Sequence, residues 1–344
     1  MKTTKHDFEI TRRDALKSAL AAGMASHSLL VPGLAFGCAG AFAGVELLSP
    51  FTTSDDEQRL IVMEGGKPVF VYNYAPVAPP TGVSEKFRRA NYLHPVHGPD
   101  GSVVTEDFPA DHHHHRGIFW AWPNCSVNDR KLNVWELDGA RTVFQRWSGM
   151  DSSRTLFRVQ AQNVWRFDDD GFAPIEERAW LMVHALKDGQ RVIDFDLSFK
   201  NIVDADVVFQ GSAAAAGSAG AGAKGYGGFC YRPDAANTPF TFTAAEGRVS
   251  DDRMSCETPW VDISWGTGQK RGVTMIQHRD NPGYPHPGWM LRHYGFLGAS
   301  WPHTASHTLN PGESFALRYR VIVHEGDAQT YGAADAAAAF AQGR

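Results

Sequence analysis

A ten-residue stretch decides the fold: Arg191-Val192-Ile193-Asp194-Phe195-Asp196-Leu197-Ser198-Phe199-Lys200. Apolar and polar residues alternate along it, so an extended chain places them on opposite faces. Residues 177–185 are a second β-rich run, and Lys187-Asp188-Gly189-Gln190 supplies turn residues between the two. The pattern predicts an antiparallel hairpin with one buried face. The residues of that apolar face are Ile193, Phe195, Leu197 and Phe199.

Further β-rich runs lie on both sides of this hairpin, whereas helical periodicity is nearly absent after residue 43. The chain is therefore predicted to be all-β, with one large antiparallel β-sandwich of two packed sheets forming a single domain over residues 44–332. The other runs are residues 59–63 and 68–72, which flank a Gly-Gly turn, and residues 155–162, 272–277 and 314–324.

Two segments depart from the strand pattern. Residues 212–223 are low-complexity Ala, Gly and Ser, which predicts a mobile loop or linker between strands. Residues 333–344 are an alanine-rich tail that favours one short helix.

The first 43 residues have the features of an export signal. Thr11-Arg12-Arg13-Asp14-Ala15-Leu16-Lys17 resembles a twin-arginine motif, and Ala41-Phe42-Ala43 fits a cleavage site. A lipoprotein-type site at Cys38 and an uncleaved anchor are the alternatives. We therefore expect a twin-arginine signal peptide over residues 1–43 and a periplasmic or secreted protein.

The charge of the remaining chain excludes several classes of partner. Cleavage after Ala43 leaves 28 basic and 35 acidic residues. This negative balance argues against nucleic acid and against an anionic membrane surface, and no later segment is apolar enough to span a bilayer. Cys125, Cys230 and Cys256 remain without CxxC spacing, so they form either one disulfide and a free thiol or three free thiols.

The candidate chemistry centres on residues 107–122, which contain four consecutive histidines. In an extended backbone His112 and His114 project to one face, where two imidazoles can hold one divalent metal ion or act as an acid/base pair. A third ligand would come from elsewhere in the chain: His94, His278 or a carboxylate. The alternative is a His-rich loop satisfied by hydrogen bonds, with Asp111 as partner. Arg116 and Trp120 follow the histidines directly and are candidate substrate-binding residues.

Residues 277–295 are polar and aromatic and are interrupted by Pro and Gly, which favours a site-forming loop over a strand. Aromatic rings beside Arg, Asn and His are typical of sugar sites. The alternative is a surface loop whose Trp289 fills the sandwich. The candidate sugar-binding residues here are Asn281, Trp289, Arg292 and Tyr294.

Two arginines elsewhere could bind a carboxylate or a pair of hydroxyls: Arg232, after the low-complexity segment, and Arg89, which precedes Asn91. A salt bridge at a strand end is the alternative for Arg232. Asn91 is itself a candidate substrate-binding residue.

Together these motifs resemble a bacterial family labelled methane-oxygenase-like. That name implies a membrane-embedded copper monooxygenase subunit, which needs several apolar spans of about 20 residues, and none is present. The resemblance instead implies a sugar-processing protein with a sandwich similar to that of galactose mutarotases. The insertion at 212–223 departs from the compact charged turn of other members. The segments that carry the resemblance are 91–95, 107–117, 227–232, 278–282, 289–295 and 319–327.

The resulting hypothesis is an exported carbohydrate-active enzyme that abstracts a proton next to a carbonyl or hemiacetal of a small sugar or keto-sugar. His112, His114 and His115 would hold a divalent cation or serve as base and acid, while Arg116 or Arg232 stabilises the oxyanion. The alternatives are a metal-free epimerase, a glycan-binding module without turnover, and a copper oxygenase. The predicted catalytic histidines are His94, His112, His114, His115 and His278.

Overall fold

The predicted central hairpin forms as expected. The computed structural model describes residues 49–213 and 223–343. In it, Ile175–His184 and Arg191–Asn201 pair antiparallel, with Leu181 opposite Phe195 and Ala179 opposite Leu197. The side chains at Ile193, Phe195, Leu197 and Phe199 are buried, as the alternation of the sequence requires.

Around this hairpin, β-strands account for most of the ordered elements. In chain order they are β1 (Phe51–Asp55), β2 (Arg59–Glu64), β3 (Lys67–Asn73), β4 (Tyr92–Val96), β5 (Ile118–Ala121), β6 (Cys125–Val127), β7 (Arg130–Leu132), β8 (Ala140–Ser152), β9 (Leu156–Phe167), β10 (Ile175–His184), β11 (Arg191–Asn201), β12 (Val207–Gln210), β13 (Gly228–Tyr231), β14 (Thr241–Ala244), β15 (Gly247–Val249), β16 (Trp260–Trp265), β17 (Arg271–Gln277), β18 (Trp289–Arg292), β19 (Phe296–Ala299), β20 (Ser306–Leu309) and β21 (Ser314–Glu325). Short 3-10 turns occur at Glu85–Phe87 and Ala235–Asn237.

The strands form three antiparallel sheets within the described residues. One has eight strands in the order β1-β2-β3-β4-β5-β13-β19-β18, and a second has nine in the order β15-β14-β16-β17-β21-β11-β10-β9-β8. A third has four, in the order β20-β12-β6-β7. The all-β, antiparallel sandwich prediction is confirmed.

Aromatic side chains fill the space between the two large sheets. Phe229 of β13 stacks on Tyr319 of β21 with ring centroids 4.5 Å apart, and Trp120 of β5 meets Phe195 of β11 at 6.3 Å. These contacts join opposite sheets, because β5 and β13 belong to the first and β11 and β21 to the second. The core therefore lies between the sheets, which is the arrangement of a sandwich.

The alanine-rich tail contains a helix. After a short helix, α1 (Ala328–Tyr331), the chain continues into α2 (Ala333–Ala341). Ala337 and Phe340 of α2 pack with Trp260, Ile276 and Ile322 of the nine-stranded sheet. None of the helices in the described ranges is long and apolar enough to cross a membrane.

Three sequence predictions meet different outcomes here. The prediction that 277–295 is entirely a loop is wrong for Trp289–Arg292, because buried Trp289, Met290 and Leu291 form strand β18 at the edge of the first sheet. Cys125, Cys230 and Cys256 are free thiols. The signal segment 1–43 and most of the low-complexity segment, residues 214–222, lie outside the described residues.

Candidate functional site

The histidine run is a compact turn and not the extended segment that the sequence predicts. The His112 amide donates to the Pro109 carbonyl at 3.1 Å, and the His115 amide donates to the His112 carbonyl at 2.8 Å. In a turn held by these hydrogen bonds, successive side chains no longer point to opposite faces as they do in an extended chain. The side chains of His112 and His115, three residues apart, therefore come together.

Arg116 holds this turn from beneath. Its side chain is 0% exposed, and its guanidinium donates to the carbonyls of His113, His115 and Phe87 while its Nε lies 3.1 Å from Asp107 Oδ1. The prediction of Arg116 as a substrate-binding group is therefore not supported by its position, because all these partners belong to the protein. A planar, five-donor guanidinium suits such a brace.

Gly117, which follows Arg116, lets the chain pass close to strand β4. A Cβ on this residue would lie 2.2 Å from the Leu93 carbonyl oxygen of β4. Any side chain would push the histidine turn away from the sheet, so the glycine sets how closely the turn approaches β4.

The rings of His112 and His115 lie inside a four-ring stack. His112 stacks on Tyr294 at 5.0 Å and on His115 at 4.6 Å, the two imidazoles being parallel within 3°. His115 then stacks on Phe296 at 4.8 Å. His114 stands nearly perpendicular to His115, at 81°. The stack fixes the imidazole planes through contacts with the hairpin of β18 and β19.

This stack forms one wall of an open cleft of about 270 Å³. The opposite walls come from distant segments of the chain, so the cleft exists only in the folded sandwich. Its lining residues are His112, His114, His115, Pro123, Trp135, Glu136, Ser212, Lys224, Tyr226, Arg292 and Tyr294. We call it the histidine cleft.

Asp111 links His112 to Arg232. One carboxylate oxygen lies 3.0 Å from His112 Nδ1, and the other accepts from Arg232 Nη2 at 2.8 Å. Burial works to raise the pKa of Asp111, but the neighbouring His112 and the Arg232 charge outweigh it and lower that pKa. Asp111 is thus kept as a carboxylate beside His112 Nδ1, which has no partner in hydrogen-bond geometry among the described residues.

Arg232 acts from below the cleft. Its side chain is 3% exposed, pairs also with Glu106 at 3.1 Å, and lies under the Tyr294 ring with its guanidinium carbon 5.2 Å from the ring centre. Of the two interpretations of Arg232, the salt bridge fits this arrangement, in which the guanidinium positions Asp111 and Tyr294.

Burial keeps two of the cleft histidines neutral. It lowers the pKa of His114 to about 3, with Arg89 as the next largest cause. Burial likewise holds the pKa of His115 well below its ordinary value, helped by His114. Nδ1 of His115 is buried without a hydrogen-bond partner among the described residues. At neutral pH these rings are therefore uncharged hydrogen-bonding groups facing a cavity.

The three predicted metal ligands do not fit a shared cation in this arrangement. Imidazole lone pairs lie in the ring plane and must converge to about 2.0–2.1 Å from a metal, whereas the planes of His112 and His115 are parallel at 4.6 Å. Within residues 49–213 and 223–343, no group of three or more His, Cys, Asp and Glu is placed to hold a metal ion. Binding of a divalent cation by this protein stays a prediction.

Several other predicted site residues lie in the supporting structure. Arg89 is 4% exposed and donates to the Val134 and Trp135 carbonyls, which positions the Trp135 wall of the cleft. Asn91 accepts from the Tyr72 hydroxyl at 3.3 Å and adopts φ 61°. Trp120 is 3% exposed between the sheets. None of the three lines the histidine cleft.

His94 and His278 do not join the histidine turn. His94 Nδ1 lies 3.0 Å from Thr105 Oγ1, and burial lowers the pKa of its imidazole. His278 packs edge-on against Phe340 of α2 at 4.9 Å. Neither lines the histidine cleft, so the predicted sharing of one site by His94, His112 and His278 finds no support in these contacts.

The second motif divides between core and cleft. Trp289 is 1% exposed and donates to the Thr258 carbonyl, and Asn281 bonds the backbone of Arg318 in both directions. Arg292 and Tyr294, in contrast, line the cleft. The core interpretation therefore applies to Trp289 and the site interpretation to Arg292 and Tyr294.

Sequence reasoning missed Trp135, Glu136, Lys224 and Tyr226, all of which line the cleft. Tyr226 accepts a hydrogen bond from Arg292, whose Nε donates to Asp252 at 2.8 Å. No spacing in the sequence connects Trp135-Glu136 with Lys224 and Tyr226, because the two pairs come from separate segments of the chain. The aromatic–acidic pair Trp135-Glu136 was the one local signal available.

Comparison with known proteins places the chain in a family without an assigned activity. Residues 59–339 match the family described as "Family of unknown function (DUF6807)". No curated protein matches the chain. The methane-oxygenase-like label expected from the sequence is not supported by this match.

Solved structures similar to this chain are distant. They include the galactosidase domain of alpha-galactosidase-sucrose kinase (11% identity, TM-score 0.35, 81% of this chain and 41% of that one). The heparan sulfate lyase HepC mutant from Pedobacter heparinus is 7% identical with a TM-score of 0.37, and the match covers 80% of this chain and 35% of that one. A GalM/aldose epimerase homologue from C. elegans is 7% identical with a TM-score of 0.31, and the match covers 81% of this chain and 99% of that one. The chain thus spans less than half of the first two.

Proposed function

Since the chain belongs to DUF6807, a family of unknown function, we propose from its site that the protein is an exported carbohydrate-active enzyme. It would bind a small sugar or keto-sugar in the histidine cleft and move a proton with His112. The observation that carries this proposal is that His112 lines the cleft and has the Asp111 carboxylate 3.0 Å from its Nδ1, with side chains 36% and 41% exposed.

The lining of the cleft suits a sugar ring. Trp135, Tyr226 and Tyr294 supply apolar ring faces, while Glu136 and Lys224 supply hydrogen-bonding groups at the rim. Its volume of about 270 Å³ is just below the range of about 300–1,000 Å³ that is typical of small-molecule sites. We therefore propose a monosaccharide unit as the bound group, in place of a long polymer segment.

The proposed chemistry is proton abstraction beside a carbonyl. His112 Nε2 takes the proton of a C–H bond next to the carbonyl; the electron pair of that bond forms a C=C bond, and the π pair of the carbonyl moves to its oxygen to give an enolate. Asp111 stabilises the imidazolium that results, since it already faces Nδ1. The neutral imidazole of His114 and the Arg292 guanidinium are placed on the cleft to bind the developing oxyanion. Return of the proton to the same or the opposite face gives exchange or epimerisation.

Solvent exchange tests the proton transfer directly. The mature chain is incubated in D₂O with aldoses and with 3-keto-glycosides, and deuterium incorporation is followed by NMR. We expect incorporation with the unmodified protein and with His97→Gln, whose imidazole bonds the Gly101 carbonyl away from the cleft. We expect its loss with His112→Gln. Equal exchange with His112→Gln would overturn the assignment of the base.

The other function classes are outcomes of the same experiment. Sugar binding without exchange or product, unchanged in His112→Gln, would favour a glycan-binding module. Metal analysis of untagged protein tests the cation: stoichiometric metal lost in both His112→Ala and His114→Ala would restore the metal-dependent version.

Export is proposed from residues 1–43 alone. Twin lysine substitution, Arg12→Lys with Arg13→Lys, should retain the full-length chain in the cytoplasm, whereas the unmodified chain should appear in the periplasm in a shortened form. Cell fractionation followed by mass determination decides between cleavage after Ala43 and lipidation at Cys38.

A further inference from the structure

A second cleft, of about 290 Å³, lies beside β8 and carries three guanidinium groups. Arg88, Arg141 and Arg166 line it, and its apolar surface includes Tyr74 and Phe144, whose ring centroids are 4.5 Å apart. The proposed function uses none of these residues. We call it the arginine cleft.

The positive charges in the arginine cleft are not fully compensated. Arg141 of β8 and Arg166 of β9 are directly opposite in the strand register, a like-charge arrangement that is unfavourable without a counter-ion. Asp168 accepts from Nε and Nη2 of Arg141, both at 2.6 Å. Arg166 has neither an ion pair nor a hydrogen bond to its side chain in the described parts of the chain.

Arg88 closes the third side and is only loosely held. Its Nε donates to Glu85 at 2.9 Å, but the Glu85 side chain is 73% exposed, so water competes for this pair. The guanidinium of Arg88 is therefore available to a second anion. Together with Arg166 it presents planar donors that match a carboxylate or a sulfate group.

The arginine cleft adjoins the histidine cleft through one short strap, residues 85–89. Phe87 packs against His113 at 5.8 Å and His114 at 6.4 Å. Arg88, the next residue, lines the arginine cleft, and Arg89 supports the Trp135 wall. Residues 85–89 therefore contact lining residues of both clefts.

We propose that the arginine cleft is a binding subsite for an acidic sugar, a ring that carries a carboxylate or a sulfate. The guanidiniums of Arg88 and Arg166 bind the anion, and the Tyr74–Phe144 surface contacts the apolar face of the ring. That the bound ligand is a sugar rests on the proposed function. The anion site itself depends only on the guanidinium groups of Arg88 and Arg166.

Calorimetric titration with three probes tests the subsite: methyl glucuronide, methyl glucoside 6-sulfate and neutral methyl glucoside. We expect the charged probes to bind more tightly than the neutral one, and increasing salt to weaken only the charged ones. Arg166→Gln should weaken charged-probe binding about tenfold, as loss of a charge-assisted hydrogen bond does. Whichever of the two anions binds more tightly identifies the carboxylate or the sulfate as the natural group.

The matched control is Arg178→Gln. Arg178 is an exposed arginine of the neighbouring strand β10 and pairs only with Glu176. Charged-probe binding equal in Arg166→Gln and the unmodified protein, or no charged-probe binding at millimolar concentration, would overturn the subsite.

Failure of the proposed function has a different result. In that case His112→Gln and the unmodified protein show the same exchange or none, while Arg166-dependent binding persists. Conversely, His112-dependent exchange of neutral sugars without Arg166-dependent binding overturns the subsite alone.

Discussion

The Asp111–His112 pair and the Asp262–His324 pair have the same parts in different surroundings. In each pair a histidine nitrogen lies close to a carboxylate, at 3.0 and 2.9 Å, although only the second contact has hydrogen-bond geometry. Each imidazole also stacks on a tyrosine, Tyr294 or Tyr331. The side chains of the first pair are 36% and 41% exposed, and those of the second are 1% and 0% exposed.

The difference lies in what occupies the remaining hydrogen-bonding positions. Thr274 contacts both His324 and Asp262, so the second pair is enclosed by β16, β17 and β21. His112 instead lines the histidine cleft, and Asp111 accepts a hydrogen bond from Arg232. The comparison teaches that the geometry of a pair does not assign a role. Access to a ligand separates a pair that can transfer a proton from one that joins strands.

The largest expected effect is on turnover. His112→Gln should reduce any proton-transfer activity by about 10²–10⁴-fold, the usual contribution of a general base, with little change in thermal stability. Steady-state kinetics measures the loss of activity, and a melting curve on the same sample measures the thermal stability. A comparable loss of activity in a folded His324→Gln protein would break the comparison.

The next largest effect is on stability. Asp262→Ala leaves His324 and Thr274 buried without their carboxylate, which should lower the free energy of unfolding by about 1–3 kcal/mol for each buried group left unsatisfied. Asp111→Ala should cost less, because Asp111 and His112 are partly solvated and the buried Arg232 keeps its pairing with Glu106. Urea denaturation measures both values. Equal losses in the two variants would contradict the assigned roles.

The neutral histidines of the cleft predict a pH effect. The pKa of His114 is lowered to about 3 by burial, below its unfolded value of about 6.5. Because the unfolded chain binds the proton more tightly, stability is full above about pH 6.5 and falls as the pH drops towards about 3. His114→Asn should flatten part of this decline in melting temperature. A decline equally steep in that variant would exclude His114 as a cause.

The smallest effect concerns the two tyrosines. Tyr331→Leu should lose about 0.5–1.5 kcal/mol of stability with the ring stacking on His324. Tyr294→Leu should change stability less and weaken sugar binding more, since Tyr294 lines the cleft. Denaturation and ligand titration of both variants sharpen the contrast between the pairs.

The sandwich could be predicted from the sequence because its signals are local. The alternation at 191–200 and the turn at 187–190 specify β10 and β11 within a few residues. Strand β18 was missed because its buried residues are flanked by Pro and Gly, which indicate loops.

The site could be predicted only in part, because its geometry depends on contacts between distant segments. The histidines of the run were identified, but the turn at His112 and His115 depends on the buried Arg116 and on Gly117. The stack on Tyr294 and Phe296 joins residues about 180 positions apart in the sequence. No pattern within either segment encodes that contact.

Arg116 has a consequence that reaches beyond the turn it holds. One guanidinium donates to His113 and His115 on one side and to Phe87 on the other, so the floor of the histidine cleft and the strap beside the arginine cleft are tied to the same rigid group. A lysine there could not hold three carbonyls in one plane. Because one buried guanidinium binds both segments, replacing Arg116 would release the histidine turn and the 85–89 segment together.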